Sequence, residues 1–269
     1  MVQKIFMLIW IGILVLLQTS IIPQYKTETD ISYKTNDVSE YEKKMCTLDI
    51  YYPTEMKDFI TIIWLHGGGL TGGSKEIPEQ LRSNGYAVVG VGYRFSPIVS
   101  SPTYIEDAAS AIAWVFKNIE KYGGKKTKIV LSGFSAGGYL SLMCGLDRKY
   151  LMNEGIEADS LLAIIPCSGQ TITHFTIRKE KEIPETQVLV DSLAPLFWTR
   201  KDAAPLYLIT GDRNLELMGR YEENAYLWRM MKLCGHKQTE LFELEGFNHG
   251  EMVIPALTLM NKIIKQIKQ

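Results

Sequence analysis

The chain has 269 residues, with 29 Lys and Arg against 30 Asp and Glu, a formal net charge of −1, and 46% hydrophobic residues. A charge this close to zero gives no long-range attraction to phosphate, which argues against a nucleic-acid partner. The hydrophobic content is that of a globular protein with a large core, and four cysteines are too few for a fold built on disulfides.

The first predicted element is an export signal over residues 1–20. Lys4 precedes an uncharged apolar run of 13 residues, 5–17, and small polar residues follow it. A membrane span needs roughly 20 apolar residues, so a cleaved signal peptide is favoured over an uncleaved membrane anchor. We therefore expect an exported protein, periplasmic or secreted, that meets a membrane only if this segment is retained. Even in an oxidising compartment, buried free thiols are favoured over a disulfide.

Strand-like and helical segments then alternate. Several of the strand-like runs are apolar almost throughout, which is typical of strands buried on both faces of a parallel sheet. This alternation predicts an α/β fold with a mostly parallel, doubly wound sheet flanked by helices. The predicted strands are 46–52, 59–65, 87–93, 128–132, 161–166, 205–210 and 239–244, and the predicted helices are 104–122, 136–146, 216–233 and 251–267.

Residues 168–200 interrupt this alternation. The segment carries Pro184 and Pro195 and has mixed polarity, so we interpret it as a small cap-like insertion over one end of the sheet. Insertions at the carboxyl ends of strands often shape a substrate pocket. We expect His174 within it, and Phe134 beside the nucleophile described next, to line that pocket.

The clearest chemical motif is GFSAG, a G-x-S-x-G sequence between the predicted strand 128–132 and the predicted helix 136–146. In this setting the serine sits on a tight turn that exposes its hydroxyl above the sheet edge. Gly133 and Gly137 allow the strand and helix to approach closely around the turn, and the helix N-terminus favours developing negative charge. The sequence therefore predicts Ser135 as a nucleophile.

A glycine-rich loop, HGGG, follows the second predicted strand. Backbone N–H groups of such a loop can bind the carbonyl oxygen of an ester. We expect Gly68 and Gly69, with Gly67 as the alternate, to form an oxyanion hole together with the N–H of Ala136. A phosphate-binding loop is the alternative, but the Lys-Ser/Thr pair of a P-loop does not follow. His66 is expected to orient the loop.

The general base is predicted by elimination among four histidines. His66 belongs to the glycine-rich loop, His174 belongs to the insertion, and His236 is expected to be exposed. His249 follows the last predicted strand, and a loop leaving this edge of the sheet can bring it to the nucleophile. The sequence therefore predicts His249 as the base.

The acid of such a triad comes between the serine and the histidine in chain order. Asp212 directly follows the glycine at the end of the predicted strand 205–210, whereas Asp191 and Asp202 belong to the insertion and its exit. We therefore predict that Asp212 holds the His249 imidazole in its productive tautomer. The spacing of these motifs draws on nearly all of residues 45–269, which predicts one domain over that range.

These motifs together resemble the α/β-hydrolase superfamily, in particular its secreted bacterial esterase and lipase branch with an HGGG loop. The likeness extends to Bacteroides-type hydrolases related to acetyl-xylan and feruloyl esterases, and it covers nearly the whole chain after residue 45. The segments that carry it are HGGGLTGGSKE, VVGVGYRFSP, YIEDAASAIAWVFKNIEKYGG, SGFSAGGYLSL, SGQTITHFTIRKE, ITGDRNLELMGRYEEN and GFNHGEM.

The resemblance implies the same roles for Ser135, Asp212 and His249, with backbone N–H groups around the oxyanion. Phe134 departs from the family, in which many members have His at this position. An ion pair of Arg94 with Glu106 or Asp107 and a solvated helical face at residues 222–224 are the structural expectations.

The function predicted from these features is that of a serine esterase acting on short acyl or carbohydrate-linked esters through an acyl-enzyme. The partner expected is a small-molecule or carbohydrate ester, and no metal or other cofactor is required. The alternatives are a formamidase or peptidase that uses the same residues and, less favoured, a catalytically silent binding module.

Overall fold

One mixed sheet runs through the computed structural model, which describes residues 23–34 and 38–267. Its strands in chain order are β1 Tyr25–Ser32, β2 Thr47–Pro53, β3 Phe59–Leu65, β4 Ala87–Val91, β5 Gly124–Phe134, β6 Ala163–Cys167, β7 Leu206–Gly211 and β8 Thr239–Leu244. They lie in the order β1-β2-β4-β3-β5-β6-β7-β8. The pairs β1–β2 and β2–β4 are antiparallel, and all other pairs are parallel. The predicted α/β class with a mostly parallel sheet is confirmed.

Helices cover both faces of this sheet. In chain order they are α1 Glu40–Met45, α2 Thr103–Asn118, α3 Ala136–Leu146, α4 Arg148–Asn153, α5 Phe175–Glu180, α6 Arg220–Leu233 and α7 Val253–Ile267. Side chains of α2, α3 and α6 contribute to one apolar cluster, and α7 contributes to a second. Along β3, Ile63 and Leu65 belong to the first cluster while Ile62 and Trp64 belong to the second. This alternation explains why the strand is apolar at every position.

The predicted bounds agree with the structure where the signal is strong. The strands 59–65 and 239–244 and the helix 136–146 have the predicted bounds. Strand β1 was not predicted, because an edge strand with exposed positions has no apolar run. The short helices α1, α4 and α5 have only six residues each, too few for a clear period. Helix α6 begins at Arg220 rather than at residue 216, a difference that matters for the site.

Two further expectations concern the cysteines and the N-terminus. Cys46, Cys144 and Cys167 are buried and Cys234 is exposed, and all four are free thiols. The predicted export segment, residues 1–20, lies outside the described residues. Among the helices within 23–34 and 38–267, none combines the length and the apolar character needed to cross a bilayer.

The backbones of β3 and of the start of α3 approach each other very closely. A Cβ atom on Gly137 would overlap the carbonyl group of Leu65, and a Cβ on Gly133 would lie within 2.6 Å of the same carbonyl oxygen. Both glycines are therefore required for the strand and the helix to pack at this distance.

We predict that Gly137→Ala lowers the free energy of unfolding by about 3 kcal/mol, because the backbone of β3 must move to admit a methyl group. Gly72→Ala is the matched control, since no atom lies within 4 Å of the position its Cβ would take. Urea denaturation of both variants measures the difference. Equal stability of the two variants would contradict this explanation.

Candidate active site

Ser135 lies on the turn between β5 and α3, in a backbone conformation that is rare for a residue with a side chain. Its φ is 54° and its ψ is −112°, while its N–H donates to the Cys167 carbonyl at 2.9 Å. This bond to the neighbouring strand holds the strained turn in place. Ser135 is 8% exposed, so its hydroxyl lies at the edge of the sheet with little access to bulk solvent.

His249 lies in the loop between β8 and α7 and contacts the serine. Its Nε2 is 3.0 Å from Ser135 Oγ, within hydrogen-bonding distance. The ring of Phe134 lies 4.8 Å from the imidazole, centroid to centroid, and limits its movement on one side. The structure therefore brings together the two residues predicted as nucleophile and base.

Glu216 is the carboxylate that contacts the other nitrogen of His249. Oε2 of Glu216 lies 2.9 Å from His249 Nδ1, and the glutamate side chain is only 1% exposed. Burial alone would raise the pKa of this carboxyl, but hydrogen bonds from His249 and Ser168 lower the pKa to about 2. Glu216 is thus ionised at neutral pH and favours the tautomer with the proton on Nδ1.

The prediction that Asp212 contacts His249 is wrong. Both carboxylate oxygens of Asp212 accept backbone N–H groups, from Gly246 and from Asn214, each at 2.8 Å. These two bonds lower the pKa of Asp212. Because Gly246 precedes His249 by three residues, Asp212 ties the end of β7 to the loop that carries the histidine. Its oxygens are occupied there and do not reach the imidazole.

The sequence pattern does not indicate Glu216 as the acid, because it places this residue in the predicted helix 216–233. In the structure it lies in the loop after β7, four residues before α6 begins. The signal that could have identified it is the pair Asp212 and Asn214, because an Asp that binds the N–H two residues later forms a turn and is not free for another role. Glu216 is then the next carboxylate in the loop.

Ser168, directly after β6, supports the buried carboxylate. Its Oγ donates to Glu216 Oε1 at 2.6 Å and lies 3.0 Å from His249 Nδ1. The N–H groups of Gly211 and Leu217 also donate to Glu216. Arg220 in turn donates to the carbonyl oxygen of Ser168. The carboxylate is therefore held by several donors in the orientation that faces the imidazole.

The glycine-rich loop lies across the turn from Ser135. Gly68 and Gly69 have φ values of 117° and 62°, in the range that glycine favours. Within the described part of the chain, the N–H groups of Gly68, Gly69 and Ala136 donate to no acceptor. The carbonyl groups of both glycines are engaged, Gly68 with the N–H groups of residues 71 and 72 and Gly69 with the Thr176 hydroxyl. The loop is thus fixed while its donors stay available.

The other three histidines make no hydrogen bond to Ser135, His249 or Glu216. His66 is buried, with Nδ1 2.6 Å from the Gly67 carbonyl oxygen and its ring stacked on Tyr93, as expected for a residue that orients the loop. Burial lowers the pKa of His66, so the ring is neutral. The expectation that His236 is exposed is wrong, because it is 6% exposed and is hydrogen-bonded to Thr239 and Ala203.

His174 caps α5 and is not among the residues that line the two cavities beside this helix. Its Nδ1 accepts the N–H of Thr176 at 3.2 Å, and its side chain packs between Tyr139 and Phe175. It is 1% exposed, and burial lowers its pKa well below the ordinary value. It therefore packs against α5. Phe134 lies beside His249, and its place in a substrate pocket stays a prediction.

Of the three residues 222–224 expected on a solvated helical face, Glu222 is exposed, whereas Glu223 and Asn224 are buried against the insertion. Glu223 accepts the N–H groups of Thr171 and Ile172, each at 3.0 Å, and pairs with Arg220. Asn224 donates to the Gly169 carbonyl. Polar side chains that bind backbone groups of a neighbouring loop give a helix no apolar periodicity. The sequence pattern therefore does not predict that this helical face is buried.

A cluster of possible metal ligands lies elsewhere, at Glu42, Cys46 and Asp107, whose ligand atoms lie within 4.8 Å of one another. Arg94 already pairs with both carboxylates, at 3.0 Å from Glu42 and 2.7 Å from Asp107, and Lys34 also pairs with Asp107. Burial raises the pKa of the Cys46 thiol to about 12, so the thiol stays protonated. These residues form a buried ion-pair cluster, and it includes the expected pair of Arg94 with Asp107.

The chain is similar in sequence to a known protein family and to known esterases. The BD-FAE family model matches residues 48–217, more than half of the chain. Esterase LipC of Mycobacterium tuberculosis is 26% identical over 234 residues, which cover 76% of this chain and 56% of that protein. The chain thus spans little more than half the length of this relative.

Solved structures share the fold over nearly the whole chain. A truncated carbohydrate esterase from gut microbiota aligns with a TM-score of 0.74 and 20% identity, over 91% of this chain and 97% of that one. Thermogutta terrifontis esterase 2, in a form phosphoramylated by tabun, aligns with a TM-score of 0.70 and 22% identity, over 91% and 96%. The chain has the α/β-hydrolase fold.

Because the pKa of Glu216 is lowered in the folded protein, the free energy of unfolding should depend on pH. The stabilising effect of Glu216 is present above the ordinary glutamate pKa and is lost as the pH falls toward 2. We therefore expect the difference in unfolding free energy between the wild type and Glu216→Gln to shrink by about 2 kcal/mol between pH 6 and pH 3.

Urea denaturation across this pH range measures the effect. Glu222→Gln serves as the control because that side chain is exposed and lies two residues inside α6. A difference between wild type and Glu216→Gln that stays constant with pH would contradict an ionised, hydrogen-bonded Glu216.

Proposed function

Because the chain belongs to the BD-FAE family and places a serine, a histidine and a carboxylate in one hydrogen-bonded line, we propose that it is a serine carboxylic ester hydrolase. The observation that carries the proposal is the pair of distances at His249, 3.0 Å to Ser135 Oγ and 2.9 Å to Glu216 Oε2. A line of this kind allows the imidazole to take a proton from the serine while the carboxylate stabilises the resulting positive charge.

The reaction proceeds in two halves. Ser135 Oγ attacks the carbonyl carbon of the ester and its proton passes to Nε2 of His249, giving a tetrahedral intermediate with a negative oxygen. Collapse breaks the bond to the alcohol, which leaves with the proton from His249, and an acyl-enzyme remains on Ser135. Water then loses a proton to His249 and attacks the acyl carbon. The second collapse releases the carboxylic acid and returns the proton to Ser135.

The negative oxygen is stabilised by the backbone donors around the turn. The N–H groups of Gly68, Gly69 and Ala136 have no acceptor in the described part of the chain, and the start of α3 adds its positive dipole end. Donors that are already fixed cost no reorganisation when the charge develops. The Thr176 contact with Gly69 helps to fix them.

Glu216 takes the role that the sequence had suggested for Asp212, and Asp212 becomes a positioning residue. Glu216 stays ionised and holds Nδ1 protonated, so Nε2 is available as the base. Asp212 fixes the histidine loop through the Gly246 N–H. The proposed substrates are small-molecule or carbohydrate esters, the latter because one structural neighbour is a carbohydrate esterase.

The first prediction concerns the nucleophile. Ser135→Ala should remain folded and lose roughly 10⁴–10⁶ of kcat on p-nitrophenyl acetate, by analogy with other triad substitutions. Ser141→Ala is the control, because this buried hydroxyl bonds only within α3. Turnover of the Ser135→Ala variant at the wild-type rate would overturn the proposal. If the wild type prefers amide or formyl substrates to esters, the proposed activity changes from ester hydrolysis to amide hydrolysis by the same residues.

The second prediction separates the two carboxylates. Glu216→Gln should lower kcat by about 10³- to 10⁴-fold, because the amide no longer stabilises the protonated imidazole. Asp212→Asn keeps the shape of the side chain and should cost about tenfold or less, since that residue contacts backbone N–H groups and not the imidazole. Steady-state kinetics of both variants measure the ranking, and the reverse ranking would identify Asp212 as the acid.

A further inference from the structure

A buried arginine beside the proposed active site lacks a charged partner. Arg178 in α5 is 3% exposed, and its Nη1 donates to the Gln187 carbonyl at 3.1 Å. Its Nε is buried without a hydrogen-bond partner among the residues the structure describes. Across residues 23–34 and 38–267, no carboxylate pairs with this guanidinium. Buried arginines are normally paired, so this arrangement calls for a reason.

The two acidic residues whose charges act on Arg178, Glu223 and Glu185, do not neutralise it. Glu223 is already engaged by Arg220 and by two backbone N–H groups. Glu185 is exposed and makes no ion pair with the guanidinium. Burial lowers the pKa of Arg178, and the two glutamates only partly oppose that effect. The side chain nevertheless stays charged, because a guanidinium is not deprotonated in proteins.

Arg178 lines two adjoining cavities, of about 370 and 250 Å³. Gln170, Glu185 and Met218 line both of them as well. The larger cavity is also lined by Glu222, which is exposed, and by Glu223, which is paired with Arg220. Much of the remaining wall of both cavities is apolar, and several of its side chains are partly open to solvent. These apolar wall residues are Ile172, Phe175, Val188, Val190, Leu196 and Leu217.

Three chain segments connect these cavities to the proposed catalytic residues. Leu217 follows Glu216 directly, and Gln170 follows Ser168 by two residues. Phe175 packs on the oxyanion loop, since a Cβ on Gly69 would lie 3.1 Å from its ring. The walls of the cavities are therefore formed in part by the same chain segments that carry Glu216 and Ser168 and by a side chain that packs on the glycine-rich loop.

We propose that Arg178 binds a carboxylate carried by the ester substrate, with the apolar body of that substrate lying along the cavity walls. This inference rests on the proposed esterase function. The guanidinium has N–H donors without an acceptor among the described residues, and a carboxylate matches the geometry of such a donor set. The ligand class is thus an ester that is apolar over most of its length and carries one acid group distant from the bond to be cleaved.

The test compares esters that differ only in charge. One pair, 4-acetoxybenzoate and 4-acetoxybenzamide, carries the carboxylate or amide on the alcohol side. The second pair, the 4-nitrophenyl esters of 4-carboxybenzoate and 4-carbamoylbenzoate, carries it on the acyl side. In both, the para position prevents intramolecular attack. Values of kcat/KM are normalised to the alkaline hydrolysis rate of each ester.

In at least one pair the wild type should prefer the carboxylate about 10- to 100-fold, the effect of a charge-assisted hydrogen bond. Arg178→Met should reduce this ratio to about one, whatever its overall activity, and Arg178→Lys should retain part of it. Lys179→Met, which removes an exposed charge from the next position on α5, should leave the ratio unchanged.

If Arg178→Met fails to fold, the inference is tested by inhibiting the wild-type enzyme with a carboxylate and with its neutral amide. Benzoate should then inhibit at least tenfold more strongly than benzamide, with competitive kinetics. No preference in either assay would overturn the inference and favour a pocket for neutral groups such as sugar hydroxyls. A preference that survives in a folded Arg178→Met would also overturn it, because another residue would bind the acid. Absence of Ser135-dependent turnover on all four esters would instead overturn the proposed function.

Discussion

The hydrogen bond between Glu216 and His249 is the interaction on which the site depends. It buries a carboxylate, and such burial is costly unless each oxygen finds donors. The donors to Glu216 are the Ser168 hydroxyl and the N–H groups of Gly211 and Leu217. Arg220 holds Ser168 in place by donating to its carbonyl oxygen. Residues from the ends of β6 and β7 and from the start of α6 are therefore arranged around one carboxylate, which in turn orients the imidazole toward Ser135.

A steric constraint sets the other side of the site. The start of α3 approaches β3 so closely that only glycine fits at Gly137, and this contact holds Ser135 in its strained turn. The glycine-rich loop leaves the end of the same strand, so the backbone N–H groups of this loop lie close to the turn that carries Ser135. Loops at the carboxyl ends of parallel strands can then vary the pocket without disturbing these groups. The insertion with α5 and Arg178 is such a variable region.

The parts of the site that follow from local pattern were predictable from sequence. Ser135 and the HGGG loop each sit in a motif whose strand and helix neighbours are recognisable, and β3 was predicted with its observed bounds. The acid is less evident from sequence, because several carboxylates follow β7 and the path of the backbone decides which reaches the imidazole. The turn formed by Asp212 and Asn214 is the local sign of that path. The carboxylate of Asp212 accepts two backbone N–H groups instead and makes no contact with the imidazole. The buried pairing of Glu223 likewise depends on a loop distant in sequence.

The central claim is that Glu216, and not Asp212, holds the Nδ1 proton of His249. Proton NMR observes this proton directly, because a strong hydrogen bond to a carboxylate shifts it far downfield and slows its exchange. We expect a downfield resonance in the wild type and in Asp212→Asn. The resonance should be lost or moved upfield in Glu216→Gln and His249→Gln. A resonance that persists in Glu216→Gln but disappears in Asp212→Asn would contradict this claim.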